Sequence, residues 1–176
     1  MSVFAWISYG LGGQVLDPAG GEVLLTQKIK ALGVNVGSSP YLYSDVQTIC
    51  DEILTTPEGS VIIVGGDSLG ANNAPYIATA IRAQRGVDYL FGFQPSVWGY
   101  HSEIPPSVVT ALCIYNPNWV ETFGLGDYPW PLMAGNTRTK GARGRPDIYM
   151  TNSDPHPGDN DPIMHDVIIS DIKVLL

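Results

Sequence analysis

The sequence predicts an α/β protein: one domain in which helices cover both faces of a mostly parallel sheet of about six strands, giving a three-layer sandwich. Segments typical of strands alternate with segments typical of helices along the whole chain. The strand segments are continuous apolar runs, which is the pattern of strands buried on both faces. A length of 176 residues suits a single domain over 1–176, since no repeat or interior linker divides it.

The predicted strands are rich in β-branched and aromatic residues and are bounded by turn residues. They are 3–9, 34–37, 60–66, 87–95, 108–116 and 147–152. Apolar residues at helical spacing predict helices over 22–32, 46–54, 74–81 and from Pro162 onwards. Ser44 and Gln47 have the spacing of a capping box, so we expect them to cap the second helix.

Charge and composition exclude several classes of protein. A net charge of −8 argues against a general nucleic-acid-binding surface. A hydrophobic fraction of 44% with 15% charged residues argues against disorder. No apolar run approaches the ~20 residues that span a bilayer, and no basic region precedes the first apolar residues as in a signal peptide. We therefore expect a cytoplasmic protein, with release by another route or association with a phage particle left open.

Neither a metal nor a cofactor is expected. Cys50 lies on an apolar helix face and Cys113 in an apolar strand, and neither has a metal-ligand spacing, so both are interpreted as buried thiols. Asp154, Asp159, Asn160 and Asp161 could offer oxygens to Ca²⁺. The alternating loop with its distal Glu is absent, however, and helix capping explains these residues more simply.

The stretch over 66–70, Gly-Asp-Ser-Leu-Gly, matches G-x-S-x-G and lies between a predicted strand and a predicted helix. This is the context of a nucleophile elbow, a sharp turn that presents a serine hydroxyl above the sheet. Ser68 is therefore the candidate nucleophile. The alternative is an ordinary strand–helix turn with Ser68 as a helix N-cap.

A serine nucleophile needs a general base and donors for an oxyanion. His156 follows the last predicted strand and precedes the last helix, so it is the candidate base. His165 is predicted on the solvated side of that helix, and His101 has no special claim. The glycine-rich loop over 10–13 follows the first strand, so backbone N–H groups of Leu11 and Leu69 are candidates for the oxyanion hole.

The order of the 10–13 loop, the GDSLG elbow, IPPSVVTALCIYN and HPGDNDPIMHDVI resembles the compact α/β-hydrolases, which are small lipase- and esterase-like proteins that include cutinase-like and phage-borne members. The resemblance implies a minimal α/β-hydrolase-like fold with nucleophile, acid and base in that chain order. GDSL is also similar to the motif of the GDSL-type esterases. Those have it in the first strand, and here it follows the third predicted strand.

The acid is where this chain departs from the pattern. In many relatives an Asp follows the strand that comes after the elbow helix. This chain has Gln94 at that position. The other usual position is the loop after the next strand, which offers Glu121 and Asp127. Asp154, two residues before His156, is a third alternative. Asp127 is favoured because it follows a glycine-rich turn within an aromatic stretch.

These residues predict a serine hydrolase that cleaves an ester through an acyl-enzyme on Ser68, without a cofactor. Aromatic residues are dense between Tyr89 and Trp130, which favours an apolar small-molecule, lipid-like or polyester-like substrate. The alternative is a hydrolase-like binding or structural module with weak or no catalysis, for example one that belongs to a phage particle. The basic cluster over 138–145 fits either a solvated loop or a lid that contacts an anionic group.

Overall fold

A computed structural model describes residues 1–10, 20–96, 103–115, 148–149 and 162–176. Within these ranges five strands form one sheet in chain order, and every neighbouring pair is parallel. The strands are β1 (Val3–Ser8), β2 (Val61–Asp67), β3 (Val87–Phe93), β4 (Val108–Tyr115) and β5 (Ile148–Tyr149). The predicted α/β class with a parallel sheet is confirmed.

Helices pack on both faces of this sheet. They are α1 (Gly21–Ala31), α2 (Val46–Thr55), α3 (Leu69–Ile81) and α4 (Pro162–Lys173). The apolar sides of α1 and α4 share one core cluster with strand residues such as Ile63 and Phe91. The apolar sides of α2 and α3 share a second cluster with residues such as Val64 and Leu90. Among the described residues, no helix combines the length and apolar character needed to cross a membrane.

The predicted strand over 34–37 is reduced to two isolated bridges beside β1, so the described sheet has five strands and not about six. Asn35 bridges to Phe4, and Tyr41 bridges to Ser8, both in the parallel sense. Between the two bridges Gly37 turns the chain with φ of 54°. Because this turn bends the backbone away from β1, the ladder of hydrogen bonds is interrupted.

The capping box predicted for α2 is wrong. Its N-cap is Asp45, which makes no side-chain capping bond to the helix. The Asp45 carboxylate instead accepts the Leu42 N–H at 3.0 Å, and the Gln47 amide donates to Asp51 at 2.8 Å. The helix therefore begins through a turn over 42–45 rather than through a side-chain cap.

The predicted exposure of His165 is also wrong, because His165 is only 2% exposed. Its ring lies edge-on to Phe93, with centroids 6.2 Å apart. The reason is helical phase: residues 165, 168 and 172 follow one stripe of α4, and that stripe packs on the sheet. Cys50 and Cys113 are buried and free, as predicted, and burial raises the pKa of the Cys50 thiol.

Candidate functional site

Buried polar side chains are concentrated at the carboxyl edge of the sheet. They either lie at or just after the carboxyl ends of the strands or belong to the first two turns of α1, α3 and α4, which begin at the same edge: Ser8, Glu22, Thr26, Asp67, Asn72, Asn73, Gln94 and His165. Burial of a polar group costs free energy unless it is compensated by interactions. Their concentration at the edge where ligands bind in open α/β sheets marks it as the candidate site.

Ser68 is the single residue between β2 and α3, and its backbone is in an unusual conformation. Its φ is 49° and its ψ is −115°. A residue with a side chain rarely adopts positive φ, and holding one there costs of the order of 1–3 kcal/mol. The chain therefore turns sharply at Ser68, and it does so without glycine at that position.

The two glycines of the motif are required by close backbone approach. A Cβ on Gly66 would lie 2.7 Å from the Ser8 carbonyl oxygen. A Cβ on Gly70 would lie 2.5 Å from the same oxygen and 2.7 Å from the Tyr9 carbonyl oxygen. Because these contacts are with backbone, neither could be relieved by rotating a side chain. The G-x-S-x-G spacing thus packs the start of α3 directly against the end of β1.

Ser68 is the N-cap residue of α3, but its side chain does not cap the helix. Its side chain makes no capping hydrogen bond, although its carbonyl oxygen accepts the Asn72 N–H at 3.1 Å. Ser68 is partly exposed, and no hydrogen bond of its Oγ is found among the described residues. The hydroxyl is thus left available at the head of the helix.

Positive electrostatic potential is expected beside this hydroxyl. The first N–H groups of a helix have no partner within the helix, and the helix dipole adds partial positive charge at that end. Leu69 is the first residue of α3, so its N–H belongs to this set. An oxygen atom that gains negative charge next to Ser68 would be stabilised there.

The loop after β1 starts in contact with the elbow. A Cβ on Gly10 would lie 2.8 Å from the Cβ of Ser68 and 2.9 Å from an Asp67 carboxylate oxygen. Glycine at position 10 therefore lets the two turns meet. Leu11, the predicted second donor of the oxyanion hole, lies outside the described residues.

Hydrogen bonds tie the elbow to the neighbouring strands. The Ser68 N–H donates to the Phe93 carbonyl at 2.9 Å, and the Gln94 N–H donates to the Ile114 carbonyl at 2.7 Å. The Asn72 amide both donates to the Ser96 carbonyl at 2.8 Å and accepts the Ser96 N–H at 2.6 Å. The turns after β2 and β3 are therefore held together as one unit.

Gln94 occupies the place where the family pattern has a carboxylate. It follows β3 directly, is fully buried and has a φ of 44°. An amide at this position can hold a neighbour by hydrogen bonding, but it has no charge with which to stabilise an imidazolium. Any acid of the site must come from another part of the chain.

The remaining predicted site residues lie outside the described ranges: His156, Asp127, Glu121, Asp154, His101, the acidic group at 159–161 and the basic cluster at 138–145. The strands that precede the Asp127 segment and the His156 segment are nevertheless described. β4 ends at Tyr115 and β5 at Tyr149, and these two residues are paired side by side. The segments that carry the predicted acid and the predicted base thus both leave the sheet at the carboxyl edge.

Sequence reasoning missed two residues at this edge. Asn72 fastens the turn after β3, and its signal is a polar residue in the first turn of a helix whose other buried positions are mostly small and apolar. His165 packs against Phe93, whose carbonyl holds the Ser68 N–H. Its signal is the spacing from His165 to Ile168 and Ile172, which places it on the apolar stripe.

No protein-family model and no curated protein sequence matches the chain. Its structure is similar to a crystal structure from Xanthomonas campestris pv. campestris, of a protein provisionally assigned as a hydrolase of the α/β superfamily. The TM-score is 0.45 and the identity is 11%, over 98% of this chain and 99% of that chain.

Proposed function

We propose that this protein is a serine hydrolase that cleaves an ester through a covalent acyl-enzyme on Ser68. The observation that carries the proposal is the conformation of Ser68, a non-glycine residue with φ of 49° between a buried strand and a helix N-terminus. Backbone strain of this kind persists where the surrounding structure holds it, and it clusters at active sites. A strained strand-to-helix turn with an available hydroxyl is the geometry of a nucleophile elbow.

In the proposed mechanism, Oγ of Ser68 attacks the acyl carbonyl carbon of the ester while His156 takes the hydroxyl proton. The carbonyl oxygen becomes an oxyanion, which the N–H groups of Leu69 and Leu11 stabilise. The tetrahedral intermediate collapses, His156 gives its proton to the leaving alcohol, and an acyl-Ser68 ester remains. Water then attacks that ester with His156 as base, which releases a carboxylic acid and restores the serine.

Asp127 is proposed to orient His156 and to stabilise its charged form. A carboxylate in this role fixes the tautomer in which the other ring nitrogen can accept the serine proton. Gln94 supports the need for such a group, because the turn after β3 supplies an amide and no carboxylate. Glu121 and Asp154 are the competing acids.

The proposed substrate is an ester with an apolar acyl or alcohol part, such as a small-molecule, lipid-like or polyester-like ester. The dense aromatic residues between Tyr89 and Trp130 support an apolar binding surface. A second function, a hydrolase-like binding module with little catalysis, is favoured by Gln94, since an amide gives the base no charge stabilisation.

A fluorophosphonate probe tests the proposal, because it reacts only with a serine whose hydroxyl is activated. We expect the label on the peptide that contains Ser68, as located by mass spectrometry, and turnover of p-nitrophenyl esters of at least one acyl length. Ser68→Ala should lose both. Ser60→Ala, which changes a serine at the opposite edge of the sheet, should retain both. A folded wild-type protein that neither labels nor turns over any ester would favour the binding module.

A further inference from the structure

A second concave site lies away from Ser68, between β1 and the carboxyl-terminal half of α2. It is a cleft of about 240 Å³, lined among others by Phe4, Trp6, Asn35, Glu52 and Thr55. Phe4 is paired with Ile62, six positions before Ser68 on β2. At about 3.3 Å per strand residue, Phe4 lies roughly 20 Å from Ser68 along the sheet, and Trp6, which is paired with Val64, lies roughly 13 Å from it. The cleft is therefore not part of the proposed active site.

A fixed carboxylate is the main polar group of this cleft. One oxygen of Glu52, Oε2, accepts the Trp6 Nε1–H at 2.9 Å and also accepts the Tyr41 hydroxyl. Burial and the neighbouring Glu52 both raise the pKa of Tyr41, so the phenol stays a donor. Among the described residues no hydrogen bond reaches the other oxygen, Oε1. The side chain is thus held in place through one oxygen while the second can bind a ligand.

Two aromatic side chains lie beside the carboxylate in the cleft lining. Phe4 and Trp6 are stacked, with ring centroids 6.0 Å apart and planes inclined by 18°. Trp6 is almost completely buried, whereas Phe4 is partly exposed. Phe4 therefore offers ring surface to a ligand, and Trp6 fixes its orientation. An aromatic surface beside a carboxylate favours a cation, since both attract positive charge.

The end of α2 adds negative potential to the same cleft. The helix ends at Thr55, which lines the cleft, and its last turn contains no basic residue. The carbonyl end of a helix carries partial negative charge. Arg85 reaches the loop after the helix, where it donates to Thr56 Oγ1 at 3.0 Å and to the Pro57 carbonyl at 2.5 Å. These bonds fasten Thr56 and Pro57, which also line the cleft, and the guanidinium charge beside them partly offsets the negative potential at that end.

We propose that this cleft binds a small organic cation in which a primary ammonium is joined to a flat apolar ring. The ammonium donates to Oε1 of Glu52, and the ring packs on Phe4. The volume of about 240 Å³ is sufficient for one ring and a short linker. A net charge of −8 for the chain raises the local concentration of cations.

The test uses 2-phenylethylammonium as the probe, added to the full chain labelled with nitrogen-15. The reporter is the Trp6 indole N–H resonance, assigned with Trp6→Phe, because this N–H donates to Glu52. We expect a saturable shift with the ammonium and none with neutral 2-phenylethanol or anionic phenylacetate at the same concentration. An equal response to 2-phenylethanol would overturn the proposal, as would an unmoved Trp6 signal.

Two variants locate the site. Glu52→Gln can still accept both existing hydrogen bonds but has no charge, and it should weaken binding roughly tenfold or more. Glu58→Gln removes the same charge from an exposed neighbour and should leave the affinity unchanged. Thr55→Lys places an ammonium at the exposed rim and should abolish binding of the probe. If Glu52→Gln fails to fold, Thr55→Lys decides alone; binding equal to wild type in either folded variant contradicts the site.

Discussion

The turns at the two ends of the sheet differ in how closely they pack and in how strained their backbone is. At the amino end, Gly59 has φ of 76° before β2, and a Cβ there would meet nothing within 4 Å. At the carboxyl end, Gly70 stands where a Cβ would lie 2.5 Å from backbone. Gly59 only turns the chain, whereas Gly70 lets two turns pack in contact.

The same contrast holds for strain. At the carboxyl end Ser68 and Gln94, both with side chains, have positive φ. At the amino end the described residues with positive φ, Gly33 and Gly59, are glycines, for which this conformation costs little. Strain at Ser68 and Gln94 is held by the hydrogen bonds from their N–H groups to Phe93 and Ile114. Strained backbone at residues with side chains is thus retained at the carboxyl end, where the proposed active site lies.

The largest expected effect concerns the proposed acid, Asp127. Asp127→Asn should keep the fold and lower kcat by a factor on the order of 10⁴, the loss seen when a triad acid becomes an amide in the serine-protease template. The physical reason is that an amide gives His156 no charge stabilisation and can favour the wrong tautomer. Ester hydrolysis at saturating substrate measures it.

Glu121→Gln and Asp154→Asn are the matched controls for this substitution, since each changes one competing acid to its amide. Both should retain most of the activity. If one of them loses it and Asp127→Asn is nearly silent, the acid is assigned to that position instead. If all three are silent while Ser68→Ala is inactive, Gln94 or a water molecule holds the histidine.

The next effect compares glycines at the two ends. Gly70→Ala should destabilise the fold by about 3 kcal/mol, the upper range for overpacking, because its methyl group would overlap the Ser8 and Tyr9 carbonyls. Gly86→Ala, just before β3, meets its nearest atom at 3.0 Å and should change stability by less than about 1 kcal/mol. Urea unfolding measures both. Equal losses would contradict the proposed difference between the ends.

A smaller effect distinguishes a variant that loses both stability and turnover from one that loses stability alone. Asn72→Ala removes both hydrogen bonds to Ser96 and should cost about 2 kcal/mol while also lowering kcat, because the turn beside the elbow loosens. Asp88→Ala removes the bond to the Ile62 N–H near the amino end of β2. It should lower stability with kcat unchanged. A matching fall of kcat in the two variants would mean that general softening, and not position, sets turnover.

Four strands could be predicted from the sequence to within two residues because they are buried on both faces. In a run such as that over 61–67 the apolar residues follow one another without interruption, so burial on both faces can be inferred from the sequence alone. The segment over 34–41 could not be predicted in this way. It pairs with β1 through two bridges only, and its turn at Gly37 depends on how it lies beside β1.

The elbow could also be predicted, since close approach at Gly66 and Gly70 leaves a mark on the sequence. The position of His165 is predictable in principle from its spacing to Ile168 and Ile172. Grouping it with the polar residues Asp166, Ser170 and Lys173 places it on the wrong, solvated side of the helix. The sequence does not single out one of the three candidate acids in the same way. Their segments have no periodicity, and a carboxylate acts through its place in space, which neighbouring letters do not determine.

The smallest expected effect isolates the strain at Ser68. Ser68→Gly removes the side chain from a backbone with φ of 49°, which relieves strain but adds freedom to the unfolded chain. The net result should be a gain of about 1 kcal/mol in the free energy of unfolding. Ser68→Ala keeps a Cβ in the same conformation, so it should gain little, and both variants should be inactive. At the amino end Gly59→Ala is the reverse experiment: it introduces a Cβ at φ of 76° in open space, which adds strain without a clash and removes freedom from the unfolded chain. The strain should exceed the gain, with a net loss of about 1 kcal/mol. If Ser68→Gly is no more stable than Ser68→Ala in urea unfolding, the elbow is relaxed, and its shape is then explained by packing of the turns alone.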